Sequence, residues 1–92
     1  KRVARVKAPV VTGMNLSPDG LRLVLLTGLH AVEFTRAAEE TWPAAFERQP
    51  RRMELPPLRQ GEAITYSSDG KSLFVTSEGE RQPLWRVTLP TR

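Results

Sequence analysis

The segment NLSPDGLRLVLLT, which starts at Asn15, returns as TYSSDGKSLFVTS, which starts at Thr65. The two tetrads at its heart, Ser17-Pro18-Asp19-Gly20 and Ser67-Ser68-Asp69-Gly70, stand fifty positions apart. The match runs outward from them. Met14 and Leu16 answer Ile64 and Tyr66, and Leu23 and Leu25 answer Leu73 and Val75. Lys1, Arg2 and Val3 answer Arg51, Arg52 and Met53. A chain that repeats one phrase must build one local structure twice and stack the copies, because a single unit buries too little apolar surface alone.

Each tetrad is turn chemistry. Pro18 presets φ for the first central position of a turn, Asp19 suits the second, and Gly20 tolerates positive φ. Ser68 lacks the constraint of proline, but Asp69 and Gly70 keep the essential pair. Ahead of each turn the residues alternate between bulky (Met14 and Leu16; Ile64 and Tyr66) and small (Gly13 and Asn15; Ala63 and Thr65). That is the period of a strand. After each turn, RLVLLT and SLFVTS are apolar on both faces. Such strands need cover on both sides of their sheet.

A third strand follows in each copy, as HAVEFT with Val32 and Phe34, and as LWRVTL with Trp85 and Val87. RRMEL at Arg51–Leu55 reads as a fourth, and RVARV at Arg2–Val6 resembles it. Residues 36–50 break the pattern. Ala38, Trp42, Ala45 and Phe46 have helical spacing, and Pro43 fits only the first turn of a helix. A loop with a short helix from about Pro43 to Arg48 is expected there. The fold class is therefore all-β: two antiparallel four-stranded blade-like sheets, incomplete, a piece of a larger propeller-like ring. Residues 1–7 form an outer strand belonging to a preceding blade. Residues 8–56 form a first blade with the insertion at about 36–50, and residues 57–92 a second blade that lacks its outer strand. This phasing, and the absence of Met at position 1, suggest part of a longer protein.

Composition closes several routes. There is no Cys and only one His, His30, so disulfides, thiolate sites and multi-His metal sites are excluded. No stretch reaches the roughly 18 apolar residues of a membrane span. The formal net charge is +4, and Lys1, Arg2, Arg5 and Lys7 concentrate positive charge in the first ten residues. Such an arm can attract phosphate, but a charged strand edge is its simpler role, so nucleic acid is not expected as a partner. Ser17, Ser67 and Ser68 sit in turns, where hydroxyls bond the local backbone. His30 has no partner set for catalysis. Trp42, Trp85, Phe34 and Phe74 are spaced as core residues. No catalytic or cofactor-binding residue is assigned.

SPDGLRLVLLT followed by HAVEF, and GEAITYSSDGKSLFVTSEG followed by PLWRV, resemble the blades of WD40-like bacterial propellers of the TolB type. The likeness covers most of the chain outside residues 36–50. The Trp-Asp pair of eukaryotic repeats is absent, since Arg86 follows Trp85. The resemblance implies a ring of four to eight blades in a periplasmic or secreted protein. It implies a non-enzymatic module that binds a ligand or protein through its loops or channel mouth. QGEAITY also resembles the first-strand opening of calcium-dependent phytase-like and lactonase-like propeller hydrolases, the alternative reading. There Glu62 would be the metal ligand. Calcium needs six to eight oxygens, one glutamate supplies too few, and Thr12 stands at the equivalent place in the first copy. Glu62 is then a residue lining a channel. Glu78 and Glu80 belong to a solvated loop.

The partners expected are the remaining blades or copies of this chain, together with a protein ligand. Alone, the 92-residue chain is expected to self-associate, because two blades leave outward apolar faces that a neighbour should cover. In a ring of copies, the Arg2–Val6 segment of one chain is the expected outer strand of the next.

Overall fold

The computed structural model describes residues 2, 4–6, 10–27, 30–56, 61–77, 79 and 81–90; of residues 61 and 62 it describes the backbone. Seven strands and one short helix follow one another: β1 (Gly13–Leu16), β2 (Arg22–Leu26), β3 (His30–Thr35), α1 (Trp42–Ala45), β4 (Arg51–Glu54), β5 (Gly61–Tyr66), β6 (Ser72–Ser77) and β7 (Trp85–Thr88). They form two antiparallel sheets, one ordered β1-β2-β3-β4 and the other β5-β6-β7. The chain is thus all-β in its sheets, with four strands in the first and three in the second.

Register decides which side chains share a face, because residues directly opposite in an antiparallel pair point the same way. In the first sheet Leu26 lies opposite Gly13 and Ala31, and Ala31 lies opposite Met53. Val24 lies opposite Asn15 and Glu33. This inner face turns to the second sheet. Met14 opposite Leu25, Leu16 opposite Leu23, and Val32 and Phe34 make the outer face. In the second sheet Ile64, Tyr66, Leu73, Val75, Trp85 and Val87 share the inner face.

The core is the seam between the inner faces. Val24, Leu26, Ala31 and Met53 meet Ile64, Tyr66, Leu73, Val75 and Leu89 in one cluster, with Leu55 and Val87 packed against it. Leu25, Leu26, Leu73, Val24 and Val75 are fully buried. Burying each such side chain stabilises the fold by about 1.5–3 kcal/mol. The sheets touch most closely where β1 meets β5.

The insertion between β3 and β4 carries α1, which starts one residue before the expected Pro43. Thr41 caps it by accepting from the Ala44 N–H at 3.4 Å, and Pro43 occupies the first turn, where no N–H is needed. The helical segment is one turn long. Its Trp42 stacks on Phe46 at 5.6 Å, and Phe46 meets Phe34 edge-on at 4.9 Å. The spacing of these aromatics thus brings the insertion onto the end of the first sheet. At the N-terminus, Arg2 and Ala4–Val6 are in no strand.

Candidate functional site

Polar side chains cross the seam. The Glu33 carboxylate is buried, with its side chain fully inaccessible, and accepts from the Tyr66 hydroxyl at 2.7 Å. Arg22 brings Nη1 to 3.9 Å from the same carboxylate oxygen and lies over the Tyr66 ring at 5.2 Å. Its Nη2 donates to the Gly70 carbonyl at 2.8 Å. Asn15 accepts from the Tyr66 backbone N–H at 3.0 Å through Oδ1. A buried carboxylate is costly unless it is bonded and faced by a cation. Here both compensations come from residues that also tie one sheet to the other.

The two turns are built alike. Gly20 and Gly70 take φ of 75° and 72°, and their N–H groups donate to Ser17 and Ser67 carbonyls at 2.9 Å. The Ser17 hydroxyl donates to Asp19 at 2.6 Å and accepts from the Arg22 N–H at 2.9 Å. Ser67 does the same with Asp69 at 2.6 Å and the Ser72 N–H at 3.0 Å. The hydroxyl bonds, and then the Leu21 and Lys71 N–H groups, hold Asp19 and Asp69 below the usual carboxylate range. Both acids are therefore structural anions. Pro18 and Ser68 fill the exposed first central positions.

A cleft of about 450 Å³ opens between these turns, lined by Asp19, Arg22, Asp69, Gly70, Lys71 and residues 88–90. It pairs two carboxylates with two cations. One oxygen of each aspartate is committed to its own turn. The recess sits at the seam that the Glu33 network closes.

The equivalent faces of the two sheets have different fates. Ile64 and Tyr66 are buried against the first sheet, whereas Met14 and Leu16, at the corresponding places, are 63% and 49% exposed. Val10 and Val11 add to the exposed apolar surface beside them. The Ile64–Tyr66 face of the second sheet therefore rests on the side of the first that carries Gly13 and Asn15 in β1, and the side with Met14 and Leu16 points outward.

Other residues singled out in the sequence fall apart in space. The Glu62 side chain, Glu78 and Glu80 lie outside the described residues, as do Lys1 and Lys7 of the basic arm. Among the described residues no group of three or more His, Cys, Asp or Glu gathers in one place. His30 lies on the β3–β4 edge, with Arg52 Nη2 at 2.8 Å from Nε2 and Glu54 at 3.9 Å from Nδ1. Trp42 lies under Arg36 at 5.4 Å, and Phe74 under Arg86 at 5.4 Å. Trp85 is half-buried on the inner face of β7. Among the described residues no helix is long and apolar enough to cross a membrane.

The seam network itself is what sequence reasoning missed. A signal existed: Arg22 opens the apolar β2, and Glu33 stands between Val32 and Phe34 in β3. No protein-family model matches the chain, and no curated protein matches it.

Proposed function

We propose that this chain is a β-propeller-type binding module of the WD40-like, TolB-type bacterial kind, without enzymatic activity of its own. It forms part of a larger array completed by further blades or by copies of itself, and it recognises a protein or ligand at its loops. A periplasmic or extracellular setting follows from the sequence resemblance alone.

The observation that supports this reading is the direction of stacking. The Ile64–Tyr66 face of the second sheet seats on the inner face of the first, the side opposite its Met14–Leu16 counterpart, so the contact joins two different faces. Contacts of that kind continue in rows or close into rings. The open counterpart, Met14 and Leu16, is then the next seat in the same series. An exposed apolar patch of this sort marks an interaction surface. Nothing comparable supports the calcium-dependent hydrolase, so it is not carried further.

The experiment is a mass measurement in solution of the chain and of a variant carrying Met14→Lys and Leu16→Lys. Association that the variant abolishes supports an interface on the outer face; equal masses at all concentrations contradict it.

A further inference from the structure

The repeat sets each residue of the seam beside a counterpart in the other sheet. Asn15 and Leu16 of β1 lie opposite Val24 and Leu23, as Thr65 and Tyr66 of β5 lie opposite Phe74 and Leu73. Glu33 lies opposite Val24, as Arg86 lies opposite Phe74. Arg22 and Ser72 open β2 and β6. Leu16 is thus the counterpart of Tyr66, Arg86 of Glu33, and Ser72 of Arg22. The residues that meet at the buried carboxylate are each replaced, in the other copy, by a side chain of different chemistry.

The contacts across the seam divide into two kinds. Arg22 Nη2 on the Gly70 carbonyl at 2.8 Å and Asn15 Oδ1 on the Tyr66 N–H at 3.0 Å reach backbone groups. Any copy of the strand and turn offers those groups, so they set register without telling one sheet from the other. The Tyr66 hydroxyl on Glu33 at 2.7 Å and the Tyr66 ring under Arg22 at 5.2 Å depend on the side chain. A strand ending in leucine offers neither. Glu33 is only 2% exposed, so bulk water is kept from taking the place of the hydroxyl.

We infer that Arg22 and Glu33 select which sheet the inner face of the first sheet accepts. The face takes a sheet whose first strand ends in tyrosine ahead of its Ser-x-Asp-Gly turn, as β5 does, and rejects one that ends in leucine, as β1 does. Stacked on another first sheet, the face would meet Leu16, which sets hydrocarbon against a buried carboxylate. Stacked on another second sheet, the Tyr66 hydroxyl would meet the Arg86 guanidinium in place of a carboxylate. Both like-on-like pairings are disfavoured, and the two sheets take a fixed order. The selection acts on a pairing made within the chain, so it stands apart from the assembly reading.

The test is a mutant cycle on the full 92-residue chain, read by urea unfolding. Tyr66→Leu is made in the wild type and in a background carrying Arg22→Met and Glu33→Met, which removes the charges together and leaves neither buried alone. If Tyr66 only fills space in the core, leucine lowers the folding equilibrium constant by the same factor in both. If the charged pair rejects leucine, the factor is expected to be at least about tenfold larger in the wild type. A Tyr66→Leu chain that is unfolded in the wild type and folded in the apolar background is the same result at its limit. Equal factors, or a larger loss in the apolar background, overturn the proposal. The milder cycle of Tyr66→Phe with Glu33→Gln covers an apolar background that does not fold by circular dichroism: losses that fall short of their sum uphold the proposal, and additive losses overturn it. The substitutions all lie in the seam, so this result and that of the Met14 and Leu16 variant are independent.

Discussion

The Tyr66 hydroxyl of β5 donates to the Glu33 carboxylate of β3 at 2.7 Å, joining the two sheets inside their seam. The bond links residues from different sheets, so it forms only when both sheets are in place. Removing a donor from a buried charged acceptor costs about 1.5–3 kcal/mol. Tyr66→Phe is therefore expected to destabilise the chain by that amount in denaturant unfolding. Combined with Glu33→Gln, the two losses should fall short of their sum, since both delete one contact. Strict additivity would show that the pair is not coupled.

Gly20 and Gly70 have nearly the same φ, yet they are not interchangeable in cost. A Cβ at Gly20 would meet only Arg36 Nη2 at 3.9 Å, whereas one at Gly70 would fall 2.6 Å from Arg22 Nη2. Both alanine variants lose about 1–2 kcal/mol to left-handed backbone strain. Gly70→Ala must also push Arg22 off the Gly70 carbonyl and away from Tyr66 and Glu33. It is expected to cost about 1 kcal/mol more than Gly20→Ala. Equal midpoints in urea would contradict the role given to Arg22.

Glu40 is held in the insertion by Arg48, which donates to both its oxygens and to the Thr35 carbonyl. The Arg48 hydrogen bonds first, and then the Ala37 N–H, lower the Glu40 pKa from 4.5 to about 2. A carboxylate with a depressed folded pKa contributes stability that is full above its unfolded pKa and lost as pH falls towards the folded one. The insertion should therefore loosen between pH 4.5 and about 2. Fluorescence of Trp42, read in a Trp85→Phe background, should report this step. Asp19 and Asp69 are also held below the usual carboxylate range, so the difference from a Glu40→Gln variant isolates Glu40. Identical acid profiles would contradict the clasp.

Much of the strand plan was legible because it depends on local alternation and turn chemistry. The Ser17–Gly20 and Ser67–Gly70 tetrads mark where the chain reverses, and the apolar runs beside them mark the strands that supply the fully buried side chains. The fourth strand at Arg51–Glu54 was legible from its likeness to the N-terminal segment, although Arg2 and Ala4–Val6 are in no strand here. Strand existence does not say which face meets which. Met14 and Leu16 look equivalent to Ile64 and Tyr66 in sequence, and only packing separates the covered pair from the open one. The Glu33–Tyr66–Arg22 network was hidden for the same reason: its members come from three strands, and pairwise spacing carries no trace of a contact across a seam.

The central claim is that the outer face of the first sheet is an interface and not a finished surface. Static light scattering of the chain across a concentration series up to tens of micromolar tests it most directly. The account predicts a mass above that of the 10.3 kDa monomer, rising with concentration. It also predicts return to the monomer mass when Met14 and Leu16 are both replaced by lysine. A folded wild-type chain that holds the monomer mass throughout the series would contradict it.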